Sequence, residues 1–249
     1  MIEMKNSIIE VNDLSISFGD NHVLNSFSMQ LKEGENVVVL GRSGSGKSVL
    51  IKCIIGLLQA DSGSIHVMGQ EVNALSYRRL DELRANIGFL FQSNALYDSM
   101  TVRENLEFPL RRHRRNLTRS ERDKLVMDAL EDVALPHTVN YLPEELSGGM
   151  KKRIALARAL MLKPRIILYD EPTTGLDPIT AREISALIVR IQRRYNTASL
   201  IISHDMSCVR ATADRVVLLI DGKSYCEGTV RELTALKDEN VNAFFEILP

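Results

Sequence analysis

The sequence predicts an α/β fold built on a parallel sheet with both faces covered, and three observations carry that expectation. Short runs such as NVVVL (36–40), RIILYD (165–170) and SLIIS (199–203) are nearly all apolar, the pattern of strands buried on both sides. Stretches of helical periodicity alternate with them. GRSGSGKS (41–48) then sets a glycine-rich loop between an expected strand and an expected helix.

The elements follow in order. SIIEVNDLSISF alternates loosely and, with ENVVVL between Gly34 and Gly41, makes the first forty residues strand-like. After Lys47, the residues Leu50, Ile54, Leu57 and Leu58 recur at helical spacing. Residues 61–91 are expected to return to short strands, with SGSIHVMG and NIGFLFQ as candidates. From about residue 98 to residue 160 the pattern is mostly helical; Leu125, Ala129, Leu130 and Val133 give one apolar face, and Pro136 and Pro143 punctuate it. Pro178 suits a first helical position, and Ile184, Leu187, Ile188 and Ile191 mark the inward face of the helix it opens. RVVLLI and SYCEG flank Asp221-Gly222, a two-residue hairpin signal. The helical block is expected to be an insertion in the α/β alternation.

The bulk properties narrow the function. The chain has 249 residues, 45% hydrophobic and 25% charged, enough for one large domain or two small ones. A net charge of −1 gives no global electrostatic case for nucleic acid, and no direct nucleic-acid contact is expected. Cys53, Cys208 and Cys226 lack C-x-x-C spacing, so a reducing compartment is expected, without a disulfide framework or zinc site. The apolar runs are strand-sized, whereas a spanning helix needs roughly 20 apolar residues. The first ten residues do not resemble a secretion signal. Service to a membrane would therefore go through a partner.

Chemistry concentrates at four places. Gly41, Gly46, Lys47 and Ser48 fit G-x-x-x-x-G-K-[ST]; in such a loop backbone N–H groups cradle phosphates, the lysine reaches the β- and γ-phosphates and the hydroxyl can ligate Mg²⁺. Asp170 ends an apolar strand, where ligands of open α/β sheets gather, and could hold Mg²⁺; Glu171, one residue on, could act as general base toward water. His204 follows the next strand and is a candidate γ-phosphate contact, although a lone histidine there is more often structural. LSGGM (146–150) opens a second helix, with Ser147, Gly148 and Gly149 offering another anion-binding start. One nucleotide cannot easily use both starts from one chain, but two chains placed head to tail could supply one each.

These residues resemble those of ATP-binding cassette ATPases, the nucleotide-binding subunits of ABC transporters, over residues 7–230. GRSGSGKS resembles the Walker A motif, IILYDE Walker B, LSGGM the signature and GLDP (175–178) the D-loop. The resemblance implies a P-loop NTPase (RecA-like) α/β core with an N-terminal antiparallel β subdomain and an inserted α-helical subdomain. Residues 1–249 would form one ATPase domain: 1–92 and 161–230 the core, 93–160 the helical subdomain bearing the signature, and 231–249 a tail. It also implies ATP and Mg²⁺ as cofactors, with nucleotide contacts from Phe18 (stacking on adenine), Gly41, Arg42, Ser43, Gly44, Ser45, Gly46, Lys47, Ser48 and Val49. Ser147, Gly148, Gly149 and Asp177 would be supplied across a head-to-tail homodimer. Mg²⁺ would be held by Ser48, Asp170 and Gln92, and catalysis would rest on Glu171, His204 and Gln92. Met150 replaces the family's usual glutamine, losing a hydrogen bond, and Phe18 replaces a common tyrosine, keeping the stacking surface.

LFQSNALYDSMTVRENLEFPLRRH (90–113) and SGGM followed by basic residues further resemble the ATPases of Mla-type phospholipid transporters. That implies integral membrane permease subunits, a substrate-binding lipid-transfer component and a place on the cytoplasmic face of the inner membrane. The alternatives are a transporter of another small solute, or a soluble cassette ATPase acting on a protein or nucleic-acid partner. The Mla-type relatives often carry a longer C-terminal tail, expected to be abbreviated in a chain ending at Pro249. The basic run Arg111–Arg115 is expected to be a solvated face, Met150 and Met161 packing or surface residues, and VNAFFEILP (241–249) either docks on its own chain or binds a partner.

Overall fold

The structure, a computed structural model, describes residues 6–245. Strands β1 (Ser7–Phe18) and β2 (Asn21–Lys32) form an antiparallel hairpin. Asp13, at φ 49°, lies in a register shift between Val11 and Leu14 that keeps both side chains buried. Strand β3 (Asn36–Leu40) is buried throughout and feeds the glycine loop. Helix α1 (Lys47–Ile54) follows; it is shorter than the apolar spacing suggested. Gly56 turns left-handed at φ 66° and Leu57 N–H donates back to Lys52 O, so the helix closes before Leu57 and Leu58, and Leu57 is exposed.

Strands β4 (Ser62–Val67) and β5 (Gln70–Glu71) complete a four-stranded antiparallel sheet in the order β2-β1-β4-β5. Residues 61–91 also contain helix α2 (Tyr77–Arg84), where only strands were expected. Its eight residues carry just Leu80 and Leu83 as apolar contacts, too few to show a period. It earns its place through Arg84, which donates to Ile55 O and Gly56 O at the C-terminal end of α1.

After β6 (Ile87–Leu90) come α3 (Val102–His113) and α4 (Arg119–Asp132), each opened by a capping box, Thr101 with Glu104 and Thr118 with Glu121. In the basic run, Arg111 pairs with Glu107, Arg112 with Asp81, and Arg114 donates to Leu162 O, so most of it is locally partnered. Helix α5 (Gly148–Leu160) starts at Ser147, whose Oγ accepts from Met150 N–H. Then follow β7 (Ile166–Asp170), α6 (Pro178–Tyr195), β8 (Ala198–Ser203), α7 (Met206–Thr212), β9 (Arg215–Ile220), β10 (Lys223–Gly228), α8 (Val230–Thr234) and α9 (Glu239–Phe245). Asp221 and Gly222 both take positive φ, as the expected β9–β10 hairpin requires.

The main sheet runs β10-β9-β3-β8-β7-β6, parallel except for β10. Alternation splits its side chains between two cores. Val38, Leu40, Ile167, Tyr169 and Ile201 face α3 to α7; Val37, Val39, Leu168, Leu200 and Ile202 face the antiparallel sheet and α1. Each such aliphatic side chain stabilises the fold by roughly 1.5–3 kcal/mol on leaving water. Val241 and Phe245 of α9 are buried in the helical-side core, so this part of the tail docks on its own chain, while residues 246–249 lie outside the described residues. Among the described residues no helix is long and apolar enough to cross a membrane.

Candidate functional site

Strand register assembles the site. Leu40 of β3 pairs with Ser203 of β8, and Asp170 of β7 with Ile202. The next residues of the three strands are Gly41, His204 and Glu171, which therefore leave the sheet side by side at its carboxyl edge.

The loop from β3 is shaped by Gly46, which caps α1 at φ 98°; a Cβ there would lie 2.8 Å from Val23 Cγ1. No side chain caps the α1 N-terminus, so its first N–H groups are free for an anion. Gly44, Gly46, Lys47, Ser48 and Val49 line a hollow of about 330 Å³ together with Ser43. Phe18, 51% exposed at the end of β1, stands on one rim, and Gln92, Glu171 and His204 close the hollow on another. Arg42 and Ser45 instead line an adjoining hollow of about 420 Å³, against Asn240 and Phe244 of α9, and Gly41 packs against Leu219.

Charges dominate the floor. Lys47 Nζ donates to Gly41 O and Arg42 O, both at 2.8 Å, and lies 3.9 Å from Glu171 Oε1. Burial lowers its pKa, although Glu171 and Asp170 oppose that shift. Ser48 Oγ donates to Asp170 Oδ1 at 3.1 Å. Burial raises the Asp170 pKa, with the Ser48 hydrogen bond pulling the other way. Glu171 sits at φ 51°, a left-handed conformation costing roughly 1–3 kcal/mol for a residue with a side chain. Its N–H donates to Ile202 O, while Oε2 accepts from Thr174 Oγ1 at 3.1 Å and from His204 Nδ1 at 2.9 Å. A carboxylate has no proton to give, so His204 carries its proton on Nδ1 and leaves Nε2 free when neutral.

This donor set fits a small divalent cation. A hydroxyl and a carboxylate oxygen lie together, the carboxylate is burdened by burial, and Gln92 lines the same hollow. Among the described residues no three His, Cys, Asp or Glu side chains converge as an all-protein cage. A cation held by one carboxylate, taking its other ligands from phosphate and water, matches what is there.

Ser147, Gly148, Gly149 and Asp177 are not part of this hollow. Gly148 and Gly149 lie instead against Leu176 and Thr180, on either side of Asp177 in the chain. A Cβ on Gly149 would come within 2.6 Å of Thr180 Cγ2, so only glycine lets α5 and α6 approach this closely. Asp177 caps α6, accepting from Ile179 and Thr180 N–H groups. The sequence reading missed Thr174 and Lys152. Lys152 is 2% exposed and hydrogen-bonded to Gln92 O. A signal existed, since Lys152 shares an i, i+4, i+8 stripe with Leu156 and Leu160 and so had to point inward.

The raised Asp170 pKa has a sign that can be tested. The native chain holds this proton at a pH where the unfolded chain has lost it, so ionised Asp170 costs stability. The cost is absent below the unfolded pKa and complete above the folded one. Asp170→Asn is expected to raise the melting temperature of the ligand-free chain at about pH 7, with the gap closing toward about pH 4. A lower melting temperature at neutral pH would contradict this reading of the charge.

The family described as ABC transporter matches residues 24–174. The chain is 39% identical over 246 residues to the intermembrane phospholipid transport system ATP-binding protein MlaF of Haemophilus influenzae, covering 98% of this chain and 92% of that protein. It is 41% identical over 223 residues to the methionine import ATP-binding protein MetN of Rhizobium johnstonii, covering 90% of this chain and 61% of that one. The dimeric post-hydrolysis structure of the ATP-binding cassette MJ0796 bound to ADP and Pi superposes with a TM-score of 0.81 at 31% identity, covering 90% of this chain and 99% of that one. Sheet order, the phosphate loop at the strand edge and these matches together show that the chain belongs to the ABC transporter family.

Proposed function

We propose that the chain binds ATP with Mg²⁺ and hydrolyses it as one of two identical subunits, powering phospholipid transport by separate membrane subunits. The observation that carries this reading is the convergence of Lys47, the Ser48–Asp170 pair, Glu171 and His204 on one hollow at the sheet edge. The γ-phosphate displaces the Gly41 and Arg42 carbonyls from Lys47, giving the buried amine an anion at hydrogen-bond distance in place of neutral acceptors. The free N–H groups of α1 take the β-phosphate. Phe18 offers its exposed face to adenine. Ser48 and Asp170, with Gln92 beside them, would hold Mg²⁺, which would supply positive charge toward the phosphate oxygens. Glu171 takes the proton from the attacking water, fixed in place by Thr174 and His204.

The two-chain arrangement is supported by the separation of Ser147, Gly148, Gly149 and Asp177 from their own chain's hollow, and by the dimeric form of the similar cassette MJ0796. Ser147 and its glycines would reach the nucleotide of the opposite chain, with Asp177 nearby, and closure would exclude water from the charges. Residues 93–160 would carry the signature as a helical subdomain against the core of 1–92 and 161–230, with 231–249 as tail. The likeness to MlaF, named for phospholipid transport, over nearly both full lengths favours phospholipid as the cargo; the permease subunits, a lipid-transfer component and the cytoplasmic face are what the resemblance of residues 90–113 and 146–150 implies. The likeness to MetN favours a small-solute importer as the second reading.

Glu171→Gln is expected to keep ATP affinity, to lose roughly 10²-fold or more in turnover, and to accumulate as a dimer with MgATP. Wild-type turnover in that variant would remove Glu171 from the reaction. To identify the cargo, the chain is purified with its membrane subunits and its bound lipid extracted. Stoichiometric phospholipid, with turnover that responds to phospholipid and not to methionine, is the expected result; the reverse response would install the small-solute reading.

A further inference from the structure

Helix α5, capped by Ser147, carries two cations that reach residues 91–95. Lys152 Nζ donates to Gln92 O at 2.7 Å and to Phe91 O at 3.4 Å. Arg158 donates to Ala95 O at 2.7 Å and to Asn94 O at 3.3 Å, with its guanidinium 5.9 Å from the centre of the Tyr97 ring. Four main-chain carbonyls within five residues thus accept from one helix. The segment needs an outside hold, because Asn94 and Ala95 both sit in the left-handed region, at φ 64° and 50°.

Both cations are burdened by burial, and Lys152 carries its charge on a single ammonium. Burial lowers its pKa, while Asp170 and Glu171 oppose that shift and favour the charged form. A buried ammonium is retained only where its hydrogen bonds are made, and these go to the segment that bears Gln92.

We propose that Lys152 is a positioning residue for Gln92, fixing its main chain to α5 so that seating Ser147 on the partner's nucleotide and placing the Gln92 side chain in its own hollow are one movement. Arg158 holds the far end of the same segment. The two nucleotide sites of a dimer are then coupled through a rigid body, α5 with residues 91–95, and not through the phosphate loop. This inference rests on the proposed role of Gln92 at the phosphate.

The test is a double-mutant cycle on the full chain, with MgATP turnover and nucleotide affinity as readouts. Lys152→Met keeps the apolar stem and removes the donors. It is expected to lower kcat roughly 10–100-fold, as misplacement of a reacting group does. The KM for ATP should move less than about threefold, because the contacts that bind nucleotide in the ground state remain. Lys152→Arg should recover most of the rate. In a Gln92→Ala background, Lys152→Met should cost less than about twofold more, because the group it positions is gone. If Lys152→Met does not yield folded chain, Lys152→Gln, which keeps one donor amide, is read in the same cycle. Wild-type kcat in Lys152→Met, or in Lys152→Gln where it stands in for it, or losses that multiply in full with Gln92→Ala, would overturn the inference and leave the site reading standing. Wild-type turnover in Gln92→Ala alone would overturn both.

Discussion

The parallel register of β3, β8 and β7 is the constraint on which the rest depends. Leu40 opposite Ser203 brings Gly41 and His204 out of the sheet opposite each other, and Asp170 opposite Ile202 brings Glu171 out one residue short of them, beside Ser203. A slip of one residue in either pairing would also exchange the two cores, because alternate side chains of every strand belong to opposite faces. Packing therefore fixes the register, and the register fixes the chemistry. The apolar runs Asn36–Leu40, Ile166–Asp170 and Ala198–Ser203 act on function only through where they end.

At that edge the structure tolerates features that a purely structural protein would avoid. Lys47 and Lys152 are buried cations whose hydrogen bonds go to main-chain carbonyls, Asp170 is a carboxylate burdened by burial, and Glu171 is held in a left-handed conformation. Each is unfavourable alone. Together they balance partly, Lys47 and Lys152 against Asp170 and Glu171, and they leave a charged hollow of the kind the proposed phosphate and divalent cation require. Stability given up here is recovered in the two cores on either side of the sheet.

Much of this was legible from local chemistry. The glycine loop, the strand ending in Asp170 just before Glu171, the helix start at Pro178 and the Asp221-Gly222 turn each declare themselves within a few residues, and the structure places all four in the expected local contexts. What escaped was what depends on contacts between distant segments. Helix α2 has two apolar residues and is held through Arg84, which reaches back to Ile55 and Gly56. Helix α1 stops at Gly56 although its apolar spacing continues to Leu58. Thr174 and Lys152 matter through partners in other elements or across a turn, and Lys152 looked like one more charge in a basic run. The docking of Val241 and Phe245 was undecidable from VNAFF, because their acceptor surface is assembled from remote helices.

The central claim, that each nucleotide is gripped by Lys47 of one chain and Ser147 of the other, is tested most directly by complementation. Lys47→Ala and Ser147→Arg chains, each inactive alone, are co-assembled. A mixed pair holds one site with both residues intact, so turnover should return to roughly a quarter of wild type, from random pairing in a two-fold dimer. No turnover above the two variants measured separately would contradict the shared site.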